Sequence, residues 1–180
     1  MEELIKQAKY DTQAFSELYR ANVKMTYNYL YSRLQNRQEA EDLTSIVWEA
    51  VLKNISQLKT NKEAGFKCWL FTIVRNTFYK HLEKNKNIDN KHLLIEDFSK
   101  YKDDKEETPD KFLQTQENKQ QINIVIDALP PQQKEIILMH FFADLKNKEI
   151  AGILDISEKT VASNLSRALE TLKQRWKKLQ

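Results

Sequence analysis

Apolar residues in the first part of the chain recur at helical spacing, and polar residues that suit helix ends separate them. "DTQAFSELYRA" sets Ala14, Phe15, Leu18 and Tyr19 on one face, with Asp11 placed to cap it. A second helix is predicted over about Val23 to Leu34. Asn36 starts a third, with Glu39 three residues on, a capping-box arrangement with Asn in the first place. In it Leu43, Ile46, Val47, Ala50 and Val51 form an i, i+3, i+4, i+7, i+8 stripe, which predicts a core-facing edge. "SQLKTNKEAG" breaks the period and reads as a loop. "FKCWLFTIVRNTFYKHLEKNK" follows as a fourth helix, apolar nearly all round from Phe66 to Val74, so its place is the middle of a bundle.

From about Lys86 to Asn118 the periodicity fades. "KDDKEETPDK" is charged, carries a proline and has little to bury, which predicts a solvated linker. Helical signals return near Lys119. "INIVIDAL" is short and amphipathic, and "LPP" stops it. Pro131 suits the first turn of the next helix, "PQQKEIILMHFFA". The expected layout is a helical unit over residues 1–87, a flexible acidic linker over 88–118 and a second helical unit over 119–180.

Composition supports an all-α fold of two small helical domains. Two glycines and three prolines leave few breaks in a chain rich in Lys, Glu, Gln and Leu. One cysteine, Cys68, excludes an internal disulfide and a Cys-based zinc cluster, as a reducing cytoplasm would favour. Cys68 and His140 read as packed side chains. His81, His92 and His140 have no metal-ligand spacing, so neither metal nor cofactor is expected. No phosphate loop or nucleophile–base pair marks an enzyme or a small-molecule substrate. No apolar run is long enough to insert into a membrane, and the start has no secretion signal. The net charge of +3 says little, but residues 96–118 hold eight acidic and four basic side chains between two mildly basic blocks.

The chemistry concentrates in "NKEIAGILDISEKTVASNLSRALE". Two short helices meet at "DIS". Asn147 can cap the first, and Ser157 the second. Ala151 is small where the helices cross, and Ile156 and Val161 fill their angle. The spacing fits a helix-turn-helix, with Asp155 at a left-handed turn position where glycine is common. Lys159, Thr160, Ser163, Asn164 and Arg167 face outward and can bond base edges or phosphates. Lys173, Arg175, Lys177 and Lys178 add cations along the tail. The alternative for this stretch is a helical hairpin with a solvated face.

The wider sequence resembles a known family. "EAEDLTSIVWEAVLKN" followed by "GFKCWLFTIVRNTFYKHLEK" resembles region 2 of bacterial RNA polymerase sigma factors, and looks closest to the extracytoplasmic-function (ECF) group. "IDALPPQQKEIILMHFFADLKNKEIAGILDISEKTVASNLSRALETLKQ" is similar to region 4 of that group. The likeness covers about 12–85 and 120–178.

It implies an alternative sigma factor that binds core RNA polymerase and directs promoter recognition, melting and initiation, with an anti-sigma factor holding it in check. The family pattern assigns polymerase docking to Glu39, Glu41, Asp42, Ser45 and Glu49. It assigns the −10 element to Lys59, Thr60, Asn61 and Lys62 in the loop, and to Arg75, Asn76, Tyr79 and Lys80 on the fourth helix. It assigns the −35 element to Lys159, Thr160, Ser163, Asn164, Arg167, Lys173 and Arg175. Ser45 stands where the family usually has Gln. "HLEKNKNIDNK" stands where relatives carry several arginines, which implies a shallower salt dependence. The competing reading is a helix-turn-helix regulator that is not a polymerase subunit.

Overall fold

The computed structural model describes residues 1–86 and 126–179, and no strand occurs among them. The acidic segment 88–118 and the first half of "INIVIDAL" lie outside the described residues. The elements are α1 (Glu2–Gln7), α2 (Thr12–Leu34), α3 (Arg37–Asn54), a 3-10 turn (Ile55–Gln57), α4 (Glu63–Lys86), α5 (Pro131–Phe141), α6 (Asn147–Leu154) and α7 (Glu158–Leu179).

Caps explain most boundaries. Asp11 accepts from the backbone N–H groups of Gln13 and Ala14, and Asn36 from that of Glu39. Gln35, at φ 52°, turns the chain between α2 and α3. Pro131 opens α5, where its missing N–H costs nothing. The two helices expected between Asp11 and Leu34 are one. Asn22 is buried, but its amide donates to the Leu18 carbonyl at 2.8 Å, so a polar side chain is satisfied within the helix and the helix continues. α1 was not signalled by the pattern, being only six residues long.

α2, α3 and α4 pack around Leu18, Leu30, Val47, Val51, Phe66, Leu70, Phe71 and Val74, with Ile5 of α1 inserted. The expected stripe on α3 is rotated. Leu43, Val47 and Val51 are buried, but Ile46 is half exposed, and Thr44 and Trp48 take the inner positions. Thr44 is tolerated there because its hydroxyl bonds the Ala40 carbonyl. Trp48 Nε1 donates to Thr26 Oγ1 at 3.0 Å in the core. Thr26→Val keeps the volume but orphans the indole N–H. It is expected to cost about 1–3 kcal/mol, seen as a fall of several degrees in Tm. An unchanged Tm would mean that water reaches the indole.

The C-terminal helices do not form a separate island. α4 packs on α6, α2 meets α5, and Ile136, Leu138, Met139, Ile150 and Val161 continue the same apolar core. Leu129, Ile137 and Ala168 make a small second cluster between α5 and α7.

Candidate functional site

Three surfaces carry the polar residues singled out by the sequence. On α3, Glu41, Asp42, Ser45 and Glu49 are exposed on one side. Glu41 pairs with Arg37 at 2.6 Å and Glu49 approaches Lys53 at 3.9 Å, both one turn apart and open to solvent. Such pairs contribute little and are easily exchanged for a partner's charges. Ser45 bonds its hydroxyl to the Glu41 carbonyl. Glu39 stands apart: its carboxylate meets His81 Nε2 of α4 at 3.0 Å, so it braces α3 against α4.

Beside these carboxylates runs an open groove of about 370 Å³, lined by Tyr19, Val23, Lys24 and Tyr27 of α2 and by Glu41, Thr44 and Ser45 of α3. Tyr19 stands edge-on to Trp48 at 5.1 Å, and Tyr27 stacks on Tyr31 at 5.8 Å. Burial, with Glu41 nearby, raises the Tyr27 phenol above its ordinary pKa, so it stays a donor. Sequence reasoning missed the α2 wall. Its signal was the i, i+4 series Phe15, Tyr19, Val23, Tyr27, Tyr31, which is longer than a core stripe requires.

The loop before α4 exposes Lys59, Asn61 and Lys62, with Thr60 half-buried. Thr60 Oγ1 accepts from the Lys62 N–H, and its methyl lies where a side chain on Gly65 would fall, 2.6 Å from an added Cβ. Lys9 holds the loop from the turn after α1. Its Nζ donates to the Leu58 carbonyl and to Asn61 Oδ1, each at 2.7 Å. Nothing in the sequence near Lys9 signalled this, because the contact spans some fifty positions. Removing two charge-assisted bonds in Lys9→Met should speed hydrogen exchange of the loop amides while the bundle keeps its Tm. Unchanged exchange would show that Thr60 and Gly65 suffice.

On α4, Asn76 and Lys80 point to solvent, and Arg75 and Tyr79 turn toward α5. There the buried Glu135 takes Tyr29 Oη at 2.8 Å on Oε1 and the Arg33 guanidinium on Oε2. Tyr79 Oη lies 3.4 Å from Oε2, and Arg75 Nε lies 3.5 Å from Oε1. Arg33 also lies over the Phe78 ring at 4.5 Å, and Arg75 over Tyr79 at 5.2 Å. Burial, then the Glu135 charge, lifts the Tyr29 phenol well above its usual range, so it stays protonated and donates. Burial works against the Arg33 charge, but its acidic and phenolic neighbours outweigh that and hold it charged.

The third surface is α6–turn–α7. Asp155 adopts φ 54° and ψ 48°, the left-handed turn the spacing required. Ser157 Oγ accepts from the Thr160 N–H at 3.0 Å and caps α7. Val161 is fully buried in the corner with Ile156 packed beside it. Asn147 does not cap α6. It is the first helical residue, its Oδ1 buried without a hydrogen-bond partner, and Glu149 bonds the N–H of Lys146 at the cap position instead. Lys159, Ser163, Arg167, Lys173 and Arg175 are exposed on α7. Thr160 and Asn164 are half-buried, and Asn164 donates to the Thr160 carbonyl. The side chains of Lys177 and Lys178 lie outside those described. No cluster of metal-ligating side chains occurs among the described residues, and no described helix is long and apolar enough to cross a membrane.

The Sigma-70 region 2 family matches residues 18–88, and the Sigma-70 region 4 family matches residues 120–172. RNA polymerase sigma factor SigV of Bacillus subtilis (strain 168) is 33% identical over 152 residues, covering 82% of this chain and 81% of that protein. The chain belongs to the sigma-70 family. Within it, this is an alternative sigma factor of the ECF group. The ECF sigma factor RpoE of Cereibacter sphaeroides is 27% identical over 168 residues, 91% of this chain and 87% of that one. The fold matches the sigma factor RpoE solved with the anti-sigma factor NepR from Bartonella quintana, with TM-score 0.71 and 20% identity over 92% of this chain and 98% of that one. CnrH, solved with the cytosolic domain of CnrY, gives TM-score 0.70 and 16% identity over 96% and 94%.

Proposed function

We propose that this sigma factor works as three surfaces on one helical body, with domains over 1–87 and 119–180 joined by the acidic segment 88–118. The α3 face docks on core RNA polymerase. Asp42 and Glu49 lead, Glu41 and Ser45 line the adjoining groove, and Glu39 holds the helix in place. The loop 59–62 with Arg75, Asn76, Tyr79 and Lys80 takes the −10 element. A base flipped from the non-template strand must be repaid by stacking and hydrogen bonds; the braced polar loop can supply the hydrogen bonds, and Tyr79, well along α4, a stacking face for the same strand. The α7 face takes the −35 element. Lys159 and Ser163 sit nearest the capped helix start for base edges, and Arg167, Lys173 and Arg175 lie further along for backbone phosphates.

The observation that carries this reading is the α6–α7 corner: a left-handed Asp155, a serine cap and a buried Val161 hold an exposed polar helix face at a fixed angle. Thr160 and Asn164 are partly committed to their own helix and serve as secondary contacts. Bond-making belongs to the polymerase, so the chain is no enzyme and needs no cofactor or small-molecule substrate. The work is cytoplasmic. An anti-sigma partner, such as NepR in the complex of RpoE from Bartonella quintana, would cover the same faces.

Run-off transcription with purified core polymerase and a pool of genomic promoter fragments tests the reading. Specific starts that depend on the protein are expected, and their alignment should give both elements. DNA binding without any start would hand the function to a regulator that is not a polymerase subunit.

A further inference from the structure

Among the described residues Glu135 is the one carboxylate that meets two arginines, and its side chain is almost fully enclosed at 6% exposure. Its two oxygens accept from Tyr29 and Arg33, with Tyr79 at the limit of bonding distance. Arg75 Nε is buried 3.5 Å from Oε1 yet makes no hydrogen bond. The cluster therefore holds more positive charge and more donors than one carboxylate satisfies. Tyr29, Arg33, Arg75 and Tyr79 come from the N-terminal bundle, whereas Glu135 comes from α5, across the junction between the two matched regions. A carboxylate and a phosphodiester share one negative charge and two terminal oxygens. A cluster that grips one can grip the other, and arginine forks suit both.

We propose that the Arg33–Arg75–Tyr79 cluster binds a backbone phosphate of the promoter strand, and that Glu135 fills this site in the chain alone. The C-terminal unit and DNA then compete for the same guanidiniums. Polymerase, by drawing the two units apart, would free the cluster when promoter DNA arrives. This rests on the reading of Arg75 and Tyr79 as DNA-facing, and it adds Arg33 to that surface and gives Glu135 a role. Breaking a buried pair from one side costs more than the pair is worth, because it leaves a charge without water or partner. Here the cost can be escaped by separating the units and hydrating the arginines, so loss of the carboxylate should open the chain.

Cys68, the one cysteine, is a built-in reporter of that opening. Its Sγ lies under α6, 3.5 Å from the Glu149 carbonyl and 3.4 Å from where a Cβ on Gly152 would be. Burial, with the Glu149 charge, raises its pKa and slows its reaction with thiol reagents.

In the full chain, Glu135→Gln is expected to raise the rate of Cys68 modification and the affinity for a fluorescent single-stranded oligonucleotide, each about tenfold. Adding Arg33→Met should return oligonucleotide affinity to its starting value while Cys68 stays reactive. Tyr29→Phe removes one hydroxyl without changing charge, and should move both readouts part-way; it carries the test if Glu135→Gln loses helicity. Unchanged Cys68 reactivity in both variants would overturn the competition. An affinity gain that survives Arg33→Met, or appears for an acidic peptide and not for the oligonucleotide, would overturn the phosphate site. Run-off transcription by the unaltered protein separates the two readings. Starts without the predicted latch behaviour would sink this inference alone; latch behaviour without starts would sink the sigma-factor assignment of the surfaces.

Discussion

Replacing Asp42 and Glu49 together by lysine should abolish polymerase-dependent starts and leave the protein folded. Both side chains are exposed on the outer face of α3, and Asp42 makes no ion pair among the described residues. Among the described residues Glu49 pairs only with Lys53, at 3.9 Å. Neither contributes much to the fold, so the Tm should stay within about 0.5 kcal/mol of equivalent stability. Their value lies in complementarity with a basic partner. Truncating one member of a buried interfacial charge pair costs roughly 2–5 kcal/mol, and reversal adds repulsion, so an affinity loss of about thirtyfold or more is expected. The measurement is a competition for core polymerase against the unaltered protein, with run-off product as the readout. Duplex binding through α7 should be unaffected, which separates lost docking from lost DNA recognition. Equal competition by the double variant would move docking off α3.

The groove beside this face sets how the effect should spread. Tyr19, Val23 and Tyr27 are apolar walls next to carboxylates. That is the composition of an interface centre with a charged rim, where the aromatic contacts hold and the charges orient. Salt should therefore relieve reversal of the groove-side Glu41, a rim charge, and leave most of the loss at Asp42 and Glu49, which docking buries.

How far the sequence discloses this molecule depends on the range of each interaction. Caps and turns are local, and they were readable: Asp11, Asn36, Pro131, the left-handed Asp155 and the Ser157 cap all follow from residues within three or four positions. One local reading failed, because Glu149 rather than Asn147 bonds the Lys146 N–H at the start of α6; other errors came where a tertiary neighbour decided. Ile46 fitted the stripe by spacing, but α2 meets α3 nearer Thr44 and Trp48, because Thr26 offers the indole a partner. Lys9 and Glu135 were invisible for the same reason. The first reaches across to the loop at Asn61, and the second across more than a hundred positions to Tyr29. Side chains that define the candidate surfaces were found by family pattern. Those that brace or occupy them were found only by contact.

Val161→Asp is the second large effect, and it isolates the corner. Val161 is fully buried among residues of α6 and α7 that include Ile150 and Ile153. A carboxylate there would sit in the apolar cluster and could reach water only by separating the helices. Burying an unpaired charge costs several kcal/mol, comparable with the stability of a small helical unit. The expected result is loss of −35 duplex binding together with an early loss of C-terminal helicity, followed by the N-terminal bundle at higher temperature. Asp155→Gly provides the opposite sign at the same corner. A side chain in the left-handed region costs roughly 1 kcal/mol, and Asp155 is exposed, so glycine should raise the Tm and preserve binding. If Val161→Asp abolished binding with no change in helicity, recognition would depend on Val161 itself and the corner would not be a scaffold. If Asp155→Gly weakened binding without destabilising, the Asp155 carboxylate would belong to the DNA-facing surface. The two variants together decide whether the turn holds the helix or reads the DNA, because only a holding role predicts opposite changes in stability and a binding loss confined to the destabilised one.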